Sequence, residues 1–164
     1  MINNKIGFYE VNPAYINYLV PYAPHLFHNI TETQNYTRKY IGIILCVNDM
    51  DYFAPLSSFK SKHLQMKESL DFIKIKNYAV INLNNMFPVP ETERNYVDFS
   101  AVKDSKYKSL LLAEYRFIKS IQDKIFRNAS ALYKHKITKG NSTPLAKRCN
   151  DFILLESVSK QYNK

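Results

Sequence analysis

Residues 40–58 read YIGIILCVNDMDYFAPLSS, and the fold class follows from how this stretch divides. Tyr40 to Val47 is short, apolar and rich in β-branched residues, which favours a buried strand over a helix. Asn48-Asp49-Met50-Asp51 supplies turn residues and Tyr52 to Leu56 returns, so the pair predicts an antiparallel hairpin. Residues before the first arm of such a hairpin lie beside those that follow the second. Arg38 is therefore expected next to Ser57 and Ser58, where the chain continues as FKSKH, residues 59–63.

Outward from the hairpin, Gly7 to Val11 reads as a short strand. Asn12-Pro13 sets up an N-cap with proline in the first helical turn, and Ala14 to Leu19 forms a short helix that Pro21 and Pro24 stop. Pro21 to Thr37 shows no sustained period and reads as a loop. On the other side, Phe72 to Lys76 and Tyr78 to Leu83 are two further strands with a turn at Lys76-Asn77, and Pro88 and Pro90 close the strand-rich half. From Asp104 the period changes. Leu111, Ile118, Ile125 and Leu132 recur every seven residues within a wider pattern of three- and four-residue steps. That spacing predicts a long amphipathic helix, with a break near Asn128 and an end at Gly140-Asn141. Asn150-Asp151 caps a last helix through Phe152, Leu155 and Val158. Strands first and helices after predict an α+β domain with a largely antiparallel sheet and helices over one face.

A chain of 164 residues suits one domain spanning 1–164, with room for a sizeable core. With 46% hydrophobic and 14% aromatic residues it reads as folded. Three glycines, with neither GxGxxG nor a Walker sequence, exclude phosphate binding by a glycine-rich backbone loop. Cys46 and Cys149 have no CxxC partner, and Cys46, inside an apolar run, reads as a buried free thiol. MINNKIGFYEVNPAY lacks a cationic stretch followed by a long apolar one, and the longest apolar run, Ile41 to Val47, is far short of the ~20 residues of a membrane span. A cytoplasmic protein with no membrane partner is expected.

The net charge is +9, and all of it sits in one segment. Between Lys103 and Arg148, twelve Lys/Arg face only Asp104, Glu114 and Asp123, and the rest of the chain is neutral. A basic segment on a neutral body is the electrostatic footprint of a nucleic-acid binder; the alternative is a solvated helix surface.

Of the side chains that could carry chemistry, His25 and His28 have no further ligand at metal-binding spacing, so neither metal nor cofactor is expected. Glu91 with Glu93, and Asp49 with Asp51, are carboxylates at turns. The polar mouth of the hairpin remains: Tyr36 and Arg38 on one arm, and Ser57, Ser58, Lys60, Lys62 and His63 on the other. Fixed cations and hydroxyls aimed at one region can bind a phosphodiester and stabilise a phosphorane. No metal is needed when the nucleophile is the 2′-hydroxyl of the RNA itself. Ser58 and His63 lack the GxSxG elbow of a Ser-His nucleophile. His63, with an ordinary pKa of ~6.5, is a general acid or base, or else a helix-start or surface histidine. A polar strand end with satisfied serines is the plain alternative for the whole set.

These motifs, taken together, resemble a known family. YIGIIL, a short turn and APLSS with Lys60 downstream, the FYEV start, VINLNNMFPVP at Val80 to Pro90, the long cationic helix and CNDFILLE at Cys149 to Glu156 resemble the endoribonuclease toxins of type III toxin-antitoxin systems, the ToxN/AbiQ family. The resemblance implies a compact, strongly bent antiparallel sheet, a partly open barrel like that of the MazF/Kid toxins, with surrounding helices. It implies metal-independent RNA cleavage to 2′,3′-cyclic phosphate and 5′-hydroxyl ends, and a role in phage abortive infection. It also implies inhibition by a small antitoxin RNA that the toxin processes from repeats, whose pseudoknots bridge proteins into an oligomer. The cellular or phage RNA would be substrate. Carried over, Ser58 and Ser57 are the site hydroxyls, Lys60 and Arg38 the phosphorane-stabilising cations, and one of Lys60, Tyr36 or His63 moves protons. Lys62, Arg116, Lys119, Lys124, Arg127, Lys134 and Lys139 would contact RNA backbone. A noncatalytic basic RNA-binding module and a protein that pairs through its long helix are the competing readings.

Overall fold

The computed structural model describes residues 6–23, 26 and 38–162. Among these residues seven strands, β1 (Gly7–Val11), β2 (Tyr40–Val47), β3 (Met50–Ser58), β4 (Phe72–Ile75), β5 (Ala79–Asn82), β6 (Phe87–Pro88) and β7 (Arg94–Tyr96), form one antiparallel sheet. Its order is β4-β5-β3-β2-β1-β7, with β6 also on β3; β4 and β7 are its two ends and do not pair, so the sheet is not closed. Helices α1 (Pro13–Leu19), α2 (Ser105–Ser120), α3 (Gln122–Lys139), α4 (Pro144–Arg148) and α5 (Phe152–Lys160) pack around it. The mixed architecture expected from the sequence is present.

The β2–β3 hairpin is tighter than its sequence suggested. Val47 pairs with Met50, leaving Asn48-Asp49 as a two-residue turn with φ of 53° and 61°. Asn and Asp tolerate this left-handed conformation, and it matches the twist of the flanking strands. β3 consequently begins at Met50 and runs on through Ser57 and Ser58. On one edge it pairs first with β6 (Tyr52↔Pro88, Phe53↔Phe87) and then with β5 (Leu56↔Ile81, Ser57↔Val80, Ser58↔Ala79). Pro55, which has no N–H to donate, falls between these two ladders. A Cβ at Gly42 in β2 would collide with the Phe53 ring, so this close approach requires glycine.

Helices cover both faces of the sheet, not one. Side chains alternate along a strand. Tyr52 and Ala54 of β3 join Phe8, Ile41, Ile81 and the helical Leu111, Ile118, Ile125 and Leu132 in one buried cluster. Phe53, between them in sequence, joins Tyr40, Phe87, Tyr15, Leu19, Leu155 and Val158 in another. Tyr52-Phe53-Ala54 is fully buried on both sides, and a large apolar side chain such as that of Phe53 contributes about 1.5–3 kcal/mol by leaving water. The cationic helix breaks at Ile121 rather than Asn128, where the Ile121 amide is shared between the Phe117 and Ile118 carbonyls. Asn128 lies inside α3, and the seven-residue apolar stripe passes the break without losing a buried member.

One buried carboxylate ties the closed end of the hairpin to two helices. Glu156 of α5 accepts from the hydroxyls of Tyr52 and Tyr133, each at 2.7 Å, and from the Asn48 amide at 2.9 Å. The Tyr52 and Tyr133 hydroxyls are held well above the ordinary phenol range, first by burial and then by this carboxylate.

Candidate active site

At the open end of the hairpin, Arg38 Nη2 donates to Ser57 Oγ at 2.8 Å. The contact follows from register: Tyr40 pairs with Pro55 and the Leu56 amide bonds the Lys39 carbonyl, so Arg38 and Ser57 are cross-strand neighbours. Burial lowers the pKa of the Arg38 guanidinium and Tyr40 opposes the shift; a guanidinium stays charged in a protein regardless. Since Ser57 Oγ accepts from Arg38, its own proton is left to donate elsewhere.

The two serines do not share a face. By alternation Ser57 lies on the Phe53 side and Ser58 on the Leu56 side, and their β5 partners agree, since Ala79 and Ile81 belong to the Leu56 cluster while Val80 does not. The Phe59 amide bonds the Tyr78 carbonyl at 3.3 Å and Lys60 is still extended (φ −118°, ψ 161°), which carries Lys60 to the Ser58 side and Phe59 to the Ser57 side. Arg38 with Ser57, and Ser58 with Lys60, thus flank the end of β3 from opposite faces. Ser58 and Lys60 are exposed, Arg38 and Ser57 half-buried. On the Ser57 face the row continues through Val80 to Lys74 of β4, a cation not anticipated above. Its signal is the one polar residue in the alternating FIKI.

His63 is not a surface histidine but stands at a helix start, in the first turn of the 3-10 helix Ser61–Leu64. It is 6% exposed, with its ring centroid 5.4 Å from that of Phe59 and 5.7 Å from that of Phe72. Its Nδ1 accepts the Lys60 amide at 2.8 Å and its own amide donates to the Lys60 carbonyl at 2.9 Å, closing the 3-10 turn Ser61–Leu64. Burial, then the charges of Lys62, Lys60 and Lys74, lower its pKa.

Of the remaining expected contacts, Lys62, Arg116, Lys119, Arg127, Lys134 and Lys139 are exposed. Lys124 is ion-paired with Glu68 at 2.6 Å, and Glu68 also accepts the Lys74 amide at 2.9 Å, so α3 is joined to the loop that follows His63. Lys76 lies over the Phe117 ring at 5.5 Å, which brings β4 beside α2. The basic helices therefore adjoin the strand-end site. Tyr36, His25 and His28 lie outside the described residues. Among the described residues no three His, Cys, Asp or Glu side chains gather as metal ligands, and no helix is long and apolar enough to cross a membrane.

Residues 7–160 match the model of a protein family described as Toxin ToxN, type III toxin-antitoxin system. The chain belongs to the ToxN family. Within it, the chain is 30% identical to Endoribonuclease ToxN of Pectobacterium atrosepticum, covering 96% of this chain and 94% of that one. It is 28% identical to Endoribonuclease ToxN of Bacillus thuringiensis subsp. kurstaki (96% and 84% covered) and 27% identical to Endoribonuclease AbiQ of Lactococcus lactis subsp. lactis (100% and 93%). The fold agrees with that of solved members. A toxin studied for its selective inhibition by a non-coding RNA pseudoknot superposes with a TM-score of 0.83 at 27% identity, covering 97% of this chain and 98% of that one. AbiQ, a lactococcal anti-phage endoribonuclease, superposes with a TM-score of 0.81 at 26% identity (96% and 98%).

Proposed function

We propose that this protein is the endoribonuclease toxin of a type III toxin-antitoxin system, acting in the cytoplasm on cellular or phage RNA as a phage-defence device. A small pseudoknotted antitoxin RNA, which the toxin cuts from a repeat transcript, holds it inactive in a protein-RNA oligomer. The observation that carries the site is the Arg38–Ser57 bond at the end of β3, flanked by the exposed Ser58 and Lys60. Membership of a family whose named relatives are endoribonucleases supports the activity.

In the proposed reaction the ribose 2′-oxygen attacks the adjacent phosphorus and the P–O5′ bond breaks. The 2′-proton leaves to a base and the departing 5′-oxygen gains one, giving a 2′,3′-cyclic phosphate and a 5′-hydroxyl. The RNA backbone crosses the end of β3, where Ser58 from one face bonds the 2′-hydroxyl or the scissile phosphate and Ser57, oriented by Arg38, adds a second hydroxyl from the other. Lys60 and Arg38 offset the charge that builds on the phosphorane, a stabilisation that counts most in the transition state. Protons pass through Lys60 or Tyr36; His63, the third candidate, is buried with its Nδ1 taken by the Lys60 amide. The exposed cations of α2 and α3 hold antitoxin RNA backbone, with an affinity that falls steeply with salt.

The test is incubation of wild type and Ser58→Ala with labelled single-stranded RNA in EDTA, with end-group analysis of the fragments. Cleavage by wild type alone, with cyclic phosphate ends, is expected. Cutting by Ser58→Ala at the wild-type rate overturns the site. Binding without cutting by both proteins favours a noncatalytic RNA-binding module.

A further inference from the structure

We propose that His63 is a positioning residue for Lys60: as a neutral imidazole it accepts the Lys60 amide and fixes the backbone from which the lysine side chain reaches the phosphate. This rests on the reading of Lys60 as a site cation.

Lys60 sits just past the last paired residue of β3, where the ladder no longer constrains the chain. Its two backbone polar groups are both taken by His63, the N–H by Nδ1 and the carbonyl by the His63 amide. The imidazole is in turn fixed between Phe59 and Phe72. An acceptor at Nδ1 requires the tautomer with its proton on Nε2.

Among the described residues, the charged groups facing the ring are Lys60 and Lys62 from its own turn and Lys74 from β4, all cationic. The carboxylate of Glu68 is engaged by the Lys74 amide and the Lys124 ammonium. An imidazolium is therefore disfavoured. When acid does protonate Nδ1, the acceptor is lost, the Lys60 amide is released and a fourth cation joins the cluster. The turnover rate should fall as pH drops through a value below ~6.5, the ordinary imidazole pKa.

The experiment compares single-turnover cleavage of single-stranded RNA in EDTA by wild type, His63→Leu, His63→Asn and Lys60→Ala between about pH 5 and pH 8. His63→Leu keeps the apolar packing without an acceptor and should lose about 10–100-fold in rate, the scale of a small misplacement, with RNA affinity nearly unchanged. His63→Asn offers a non-titrating amide oxygen to the same N–H and should recover most of that rate while losing the acid limb. The double variant Lys60→Ala/His63→Leu should be no slower than Lys60→Ala alone, because both changes remove one effect. A folded His63→Asn as inactive as His63→Leu would instead make His63 a proton carrier. A fully active His63→Leu, with Lys60→Ala inactive, overturns the positioning role and leaves the site intact. A Lys60→Ala protein that cuts normally overturns the site reading itself. If neither histidine variant folds, imidazole nitrogen shifts in wild type decide: a proton on Nδ1 at neutral pH excludes the proposal.

Discussion

The two ends of β3 differ in almost every physical respect, although they belong to one strand. At the hairpin end, Tyr52 and Phe53 are buried on opposite faces and Glu156 satisfies Tyr52, Tyr133 and Asn48 at once. At the other end, Ser57, Ser58 and Lys60 carry little core, and two of the three are exposed. One end is held so that the other can be polar. A hydroxyl and a cation at a strand end keep their geometry only because the apolar end fixes the strand and its register.

The sharpest way to break this contrast is Ser58→Ala. Cleavage and toxicity should be abolished, while stability changes by no more than about 0.5 kcal/mol, as for surface substitutions generally; thermal melts and growth arrest read the two effects separately. A large loss of stability would place Ser58 in the core and erase the distinction. The reverse experiment is Glu156→Ala at the buried end. Three donors lose their acceptor, with an expected cost of about 2–4 kcal/mol in chemical denaturation. Activity per folded molecule should stay near wild type.

Glu114 of α2 sharpens the point, because it is a buried carboxylate without Glu156's donors. It is 4% exposed, and burial raises its pKa to about 7. Between the ordinary carboxylate value and about 7 the folded protein holds a proton that the unfolded chain has lost. Stability should therefore fall as pH rises through that window, by up to ~3 kcal/mol, and Glu114→Gln should flatten the dependence and stabilise the protein at pH above 7. Unfolding midpoints across pH check this; an unchanged slope in Glu114→Gln would refute it. The smallest effects belong to the helix cations. Arg127→Ala should weaken antitoxin RNA binding and reduce the salt slope by about one unit, and Lys124→Ala should also cost about 0.5 kcal/mol through its half-exposed pair with Glu68.

The hairpin, its open-end neighbours and the seven-residue helical stripe were legible because each is a local pattern with a physical period. Asn12, Asp104 and Asp151 cap α1, α2 and α5 through their side chains, and all three stand at the start of a periodic run. What escaped was short or non-local. β6 and β7 are two and three residues long, and no period can declare itself over that length. The break at Ile121 has no proline or glycine to mark it. Thr143-Pro144 does signal the cap of α4, yet the five-residue helix carries no stripe. At the site, the sequence placed Arg38 beside the serines but could not separate the faces of Ser57 and Ser58, since that depends on β3 extending past Leu56. The burial of His63 depends on Phe72, nine residues downstream on another strand, and is invisible in FKSKH.

Pro55 gives β3 a mechanical joint. The ladder to β6 stops on one side of it and the ladder to β5 begins on the other, so no continuous row of bonds ties the two halves along that edge. In hydrogen-exchange terms, the amides of Ser57 and Ser58 belong to a different opening unit from those of Tyr52 and Phe53, and should exchange through local fluctuations that never reach the core. On the opposite edge the pairing to β2 runs past Pro55, through Ile41↔Ala54, Tyr40↔Pro55 and the Leu56 amide on the Lys39 carbonyl, so the serine end stays tied to the hairpin while its β5 edge opens separately.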